Sequence, residues 1–176
     1  VTVRHMKLTG PLETAINDQV TLEVVAALTY EQLAIDMEAL DLPGIASWFR
    51  AQADEERVHA RKFIAHMLDR DAHPRYGEMT VEAETATTVL AAFEAALAHE
   101  QKVSGAIRDL YKIAQEQGDV DSLPLLHWFI SEQVEEEATV SEIIAHAKLI
   151  GEDGTGLLKL DAQLGTRPGG ELPAAE

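Results

Sequence analysis

Glu56 and His59 form a Glu-x-x-His pair, which on a helix puts a carboxylate and an imidazole one turn apart on one face. Such a pair is common by itself. Its weight comes from the rest of the chain: Glu23 precedes Glu56 by 33 positions, Glu100 precedes Gln133 by the same 33, and Gln133-x-x-Glu136 answers Glu56-x-x-His59. The two halves thus carry one polar pattern, as two similar helical hairpins would. If Glu23, Glu56, Glu100 and Glu136 share an interior, four carboxylates meet there, and an unpaired buried charge is costly. Protonation, or a layer of water and hydrogen bonds, would relieve it; pairing with Lys or Arg would too, but no base stands at the matching level. Two divalent cations would balance the four charges, with His59 and Gln133 completing the shells. Hard oxygen donors with one imidazole suit iron or manganese better than zinc.

Helices must position these residues. Apolar positions recur at alternating steps of four and three, as in Ile16, Val20, Ala27, Tyr30, Ala34 and Met37, with Glu23 in the middle of the stripe. Breakers at Gly10–Pro11, Pro43–Gly44, 73–77, 118–124, 151–156 and 165–170 divide the sequence. The pattern predicts helices over 12–41 (A), 44–71 (B), 81–118 (C) and 122–150 (D), with a short fifth over 155–164 (E). Each of the four long stripes has polar residues at its centre, so four helices facing one another would bury a polar layer. A–B and C–D are joined by short turns and should form antiparallel hairpins. The B–C link over 72–80 is just long enough to run most of the bundle's length, and a short turn fits it as well. A main domain is expected over 1–164, and a flexible Pro/Gly-rich tail over 165–176.

The 176 residues carry 14 Lys and Arg against 31 Asp and Glu, a formal charge of −17 that disfavours a nucleic-acid partner and favours cations. With 46% apolar and 26% charged residues the composition is that of a folded domain. No apolar run reaches membrane-spanning length and no signal-peptide pattern opens the sequence, so no membrane partner is expected. The absence of cysteine removes thiolate metal sites and disulfides, and fits a cytoplasmic location.

The segments NDQVTLEVVAALTY, LPGIASWFRAQADEERVHARKF, HEQ and WFISEQVEEE, in that order, resemble the bacterial non-haem ferritins, especially the actinobacterial kind sometimes labelled bacterioferritin. The resemblance covers all four long helices. It implies an all-α, ferritin-like four-helix bundle with a long B–C crossover and a short fifth helix, assembled as a homo-oligomer of 24 subunits. Its implied activity is ferroxidase and iron storage, with Fe(II) and O2 or H2O2 as reactants. Carried onto this chain, Glu23, Glu56 and His59 would hold a first iron, Glu56 would bridge to a second, and Glu100 and Glu136 would complete that one. Gln133 would lie between the irons. Tyr30 would hydrogen-bond a site carboxylate, Glu100. Glu55, Glu132, Glu135 and Glu136 match a third iron site on the inner wall, although acidic residues there could equally be a solvated face. Iron uptake would run through pores near the C–D turn, where Glu116, Asp119 and Asp121 supply charge.

Two departures separate the chain from haem-binding relatives. Arg57 stands where those have a Met ligand, and Gln133 with Glu136 replaces a second Glu-x-x-His, so no haem is expected. A rubrerythrin-like oxidoreductase would carry cysteines, and a DNA-protecting miniferritin would carry histidines on helix A; this chain has neither. A shell subunit without a ferroxidase centre would lack some of the six ligands, all of which are present. His66, His99, His127 and His146 have no partners at ligand spacing. The Gly-rich run 151–156 follows a helix and lacks a P-loop Lys, so it reads as a turn.

Overall fold

Alternating steps of four and three place the apolar positions of each long segment on one helix face, and in the computed structural model these faces meet. The structure describes residues 7–81 and 84–166. In chain order the helices are α1 (Gly10–Ala39), α2 (Pro43–Asp69), α3 (Val89–Glu116), α4 (Leu123–Ile150) and α5 (Gly154–Leu164). The Met37 carbonyl oxygen closes α1 by accepting from the N–H groups of Leu40 and Leu42, and Asp41, at φ 58°, turns the chain directly into α2. Asp is among the few side chains that tolerate this left-handed conformation. Among the described residues there is no strand, and no helix is long and apolar enough to cross a membrane. Residues 167–176 of the expected flexible tail lie outside the described residues.

Helix C begins at Val89, not at 81. Residues 81–88 read as helical because Glu and Ala dominate their first half, but Thr88 caps α3 by accepting from Ala91 N–H at 3.0 Å. The B–C link therefore runs from Arg70 to Thr88 rather than over 72–80. Its course is recorded by side chains of α1. Asn17 accepts from Arg75 N–H (2.7 Å), Thr21 from Gly77 N–H (2.9 Å), and Asp36 from Ala86 N–H (2.8 Å). The link thus climbs α1 from its first turns to its last, and α3 starts at the end of the bundle where α2 also starts. The two run parallel, and α1 and α4 run the other way.

The core is split in two. One apolar layer joins Leu33, Met37, Ile45, Phe49, Phe93, Val140 and Ile143; the other joins Leu12, Ile16, Phe63, Met67, Ile107, Leu126 and Phe129. Between them each long helix contributes its polar centre. α5 packs across the start of α2, where Asp161 accepts from Ile45 N–H at 2.8 Å and so caps a helix whose own N-cap, Leu42, has no capping side chain. Gly44 is required there, because a Cβ would lie 2.0 Å from the Asp161 carbonyl oxygen. The 151–156 run is the turn into α5, with Asp153 accepting from Thr155 and Gly156 N–H.

Candidate metal centre

Glu23, Glu56, His59, Glu100, Gln133 and Glu136 all lie in the layer between the two apolar clusters, and all are buried. Helical spacing does the positioning: one turn of α2 separates Glu56 from His59, and one turn of α4 separates Gln133 from Glu136. Ligating atoms of Glu23, Glu56 and His59 approach within 4.8 Å of one another, and so do those of Glu56, Glu100 and Glu136. Glu56 belongs to both groups, so the two share an edge there. A third group joins Glu55, His59, Glu132 and Glu136. Glu135 lines the same cleft of about 130 Å3 as Glu55, Glu132 and Glu136, yet His59 takes its place in that closely spaced set.

Hydrogen bonds hold three of the four carboxylates, and His59 Nδ1 lies 3.2 Å from Glu56 Oε2. Gln19 donates to Glu23 Oε1 at 2.7 Å, Tyr30 donates its hydroxyl to Glu100 Oε1, and Gln133 donates to Glu100 Oε2 at 3.0 Å. Other oxygens of the layer are bare. With the carboxyls ionised, Glu23 Oε2, Glu56 Oε1, Gln133 Oε1 and both oxygens of Glu136 are buried without a donor. Orphaned buried acceptors are rare because each costs free energy. Five of them converging on one layer fit a site built for cations, and oxygen donors with one imidazole fit iron chemically.

The electrostatics agree. Burial raises the Glu23 carboxyl to about 7. Burial and then the neighbouring carboxylates push Glu56 and Glu136 well above the usual range, and burial raises Glu100 despite its donors. Burial also lowers His59 to about 4, so its ring is neutral and keeps a lone pair for a metal. Trp128 and Phe129 meet that ring edge-on, with centroids 5.6 and 5.4 Å away, and fix its plane.

Other expected residues lie elsewhere. Arg57 is at the surface, paired with Glu31 (3.0 Å) and Asp54 (2.7 Å). Asp119 is bound by Arg70 at 2.7 and 2.8 Å and accepts from Ser122 N–H, so it braces the α3–α4 turn rather than offering a free charge. Glu116 and Asp121 are exposed. His66 bonds Ser122 at 2.9 Å, and none of His66, His99, His127 and His146 joins a metal-competent group among the described residues. Sequence reasoning missed Gln19, although it stands one turn before Glu23 on the same stripe, and it missed what Ser104 and Glu137 do.

A family profile described as "Ferritin-like domain" matches residues 13–150. The chain is 34% identical over 153 residues to a bacterial non-heme ferritin of Staphylococcus aureus, covering 87% of this chain and 92% of that one. It is 32% identical over 160 residues to a bacterial non-heme ferritin of Staphylococcus haemolyticus, with 91% and 96% covered. Among solved structures it is similar to an engineered closed form of the Archaeoglobus fulgidus ferritin, at a TM-score of 0.89 and 32% identity, covering 92% of this chain and 99% of that one. The open pore ferritin of the same archaeon superposes at 0.88 with 32% identity, over 92% and 98% of the two chains.

Proposed function

The chain belongs to the ferritin family of iron-storage proteins, and from that premise we propose that it oxidises Fe(II) in the carboxylate layer and stores the ferric product as mineral inside a shell of 24 copies. The observation that carries this reading is the set of buried, donorless oxygens gathered around Glu56 and capped by neutral His59.

Fe(II) is the substrate. Glu23, Glu56 and His59 hold one ion; Glu56, Glu100 and Glu136 hold the other, and Gln133 Oε1 reaches the space between. Tyr30 and Gln133 keep Glu100 aligned, and Gln19 keeps Glu23 aligned. Each Fe(II) gives up one electron. Two electrons and two protons convert O2 to H2O2, or H2O2 to two waters. Carboxyls protonated in the empty site lose their protons when Fe(II) binds, and hydrolysis of Fe(III) releases more. Glu55, Glu132 and Glu135, with Glu136, form a third position on the way to the cavity wall, where they receive outgoing iron.

The test loads protein anaerobically with Fe(II) and admits oxygen. Rapid oxidation should saturate near two Fe(II) per chain, and the native particle should weigh about 460 kDa, twenty-four times the 19.3 kDa chain. A monomeric protein, or oxidation no faster than in buffer, would overturn the reading.

A further inference from the structure

The side-chain amide of Gln133 has two unlike ends, and only one of them can serve a cation. Its Nε2 donates to Glu100 Oε2 (3.0 Å), to the Glu100 carbonyl oxygen (3.3 Å) and to Ser104 Oγ (3.3 Å). Its Oε1 is buried with no donor. Glu100 presents only acceptors to Gln133, which argues for the NH2 end there. Ser104 is different. A serine hydroxyl both donates and accepts, so it could hydrogen-bond either end of the amide. It could also turn its proton onto the carbonyl one turn back in its own helix.

Glu137 removes that choice. The Ser104 hydroxyl, 1% exposed, donates to Glu137 Oε1 across the α3–α4 interface. Its single proton spent, Ser104 can offer Gln133 nothing but a lone pair. The amide must then present NH2 to both α3 residues, and its carbonyl oxygen is left facing the opposite way, into the cation layer. We infer that Ser104 and Glu137 are positioning residues, a two-step relay that orients Gln133 Oε1 toward the metal position from outside the ligand set. Without the carboxylate at 137, the Ser104 proton is free to swing onto Gln133 Oε1 and pull the oxygen out of the site. The arrangement crosses the helix pair. Gln133 reaches from α4 to Glu100 on α3 while Ser104 reaches from α3 to Glu137 on α4, so each helix pins the other's side chain.

This inference rests on the dinuclear site proposed above, and the experiment separates the two. The assembled protein is titrated anaerobically with Co(II) alone, following the visible ligand-field absorption, for wild type, Ser104→Ala, Glu137→Ala, Glu137→Gln and the double variant Ser104→Ala/Glu137→Ala. Glu137→Gln retains an oxygen that accepts from Ser104 and should titrate like wild type, with the same spectrum. Ser104→Ala and Glu137→Ala should each weaken one of the two Co(II) ions by about tenfold and shift its band, the usual cost of losing an outer partner of a ligand. The double variant should be no worse than either single one, because both remove the same relay. An unchanged Co(II) spectrum in Ser104→Ala and Glu137→Ala overturns the inference, even if their thermal stability falls. So does a Glu137→Gln protein as impaired as Glu137→Ala, which would assign the effect to charge. A wild type that binds no Co(II) in this layer would overturn the dinuclear site and the relay together; unchanged variants of a responsive wild type sink the relay alone.

Discussion

At the residue scale the candidate centre is a set of groups whose protonation is displaced in opposite directions by the same burial. His59 is lowered to about 4, so above pH 5 it is already in the form that binds a cation. The Glu23 carboxyl is raised to about 7, and Glu56 and Glu136 are raised well above the usual carboxylate range, so near neutrality protonated carboxyls must give up protons to coordinate. Metal affinity should therefore rise with pH between 5 and 8 on the carboxylates alone. Zn(II) titrations in buffers of different ionisation heat should show about one proton or more released per site at pH 6.5 and fewer at pH 8. Constant proton release across that range would contradict the burial argument. The proposed ligands separate by substitution. His59→Ala should slow oxidation of the first two Fe(II) per chain by roughly tenfold or more while the shell still assembles, whereas Glu132→Ala should leave that phase fast and alter only the later stoichiometry. Equal damage in stopped-flow oxidation would mean that the two positions are one. The six central residues stand out in the sequence because polar side chains in the middle of an apolar stripe are conspicuous. The Ser104–Glu137 contact could not, since a serine on a stripe and a glutamate in an acidic run have ordinary explanations.

At the element scale the crossover is the part that sequence pattern misplaced. Residues 81–88 have helical composition, and nothing local says that Asp36, fifty residues earlier, will hold Ala86 outside a helix. That is a tertiary override of propensity. Asp36 is buried and also accepts from Gln32 at 3.0 Å, so it ties the crossover to α1 at the point where α3 begins. Asp36→Ala strands a buried N–H and should destabilise the fold by about 1–3 kcal/mol; Asp36→Asn keeps an acceptor and should cost less. Hydrogen exchange at the Ala86 amide is the direct readout: it should accelerate strongly in Asp36→Ala, and an unchanged rate would show that the crossover is held by other contacts. The α2–α5 junction makes a second element-level case. Gly44→Ala drives a methyl into the α5 backbone, so α5 should detach and expose its amides while α1–α4 retain protection. The helix boundaries of α2, α4 and α5 were legible because Pro43, Gly151 and Asp153 punctuate them. The length of the crossover was not, and the parallel course of α2 and α3 follows from that length.

At the scale of the whole molecule, a layer of carboxylates between two apolar clusters makes the pH response of empty protein differ from that of metal-filled protein. For Glu23 the folded value of about 7 exceeds the ordinary carboxylate value of 4.5, so between these limits the folded chain keeps a proton that the unfolded chain has lost. Folding stability then falls as pH rises through that window, by up to about 1.4 kcal/mol per unit for each such group. Histidine works against this at the acid end. His59 and His99 are both held at about 4 against an ordinary 6.5, so between those values the unfolded chain gains protons the folded chain lacks, and stability rises with pH. Above pH 6.5 the histidine contribution is exhausted and the carboxylates act alone. Metal-free protein should therefore lose stability as pH rises from 6.5 through the Glu23 value of about 7, while protein saturated with Zn(II) should not, because bound carboxylates are already ionised. At a hundredfold excess over Kd the cation adds about 2.7 kcal/mol by mass action, and the gap between the two forms should widen with pH. Glu136 is the position to neutralise as a control, since Glu100 already accepts from Tyr30 and Gln133, whereas both oxygens of ionised Glu136 lack donors. Glu136→Gln should raise the midpoint of the metal-free protein at pH 8, flatten its pH slope and shrink the Zn(II) effect. Comparing midpoints at one scan rate keeps the test sound even where a large assembly unfolds irreversibly. If Glu136→Gln instead lowers the metal-free midpoint at pH 8 and leaves the Zn(II) increment intact, the carboxylate layer is stabilised without cations, and its placement between the two apolar clusters would have to be explained as ordinary packing.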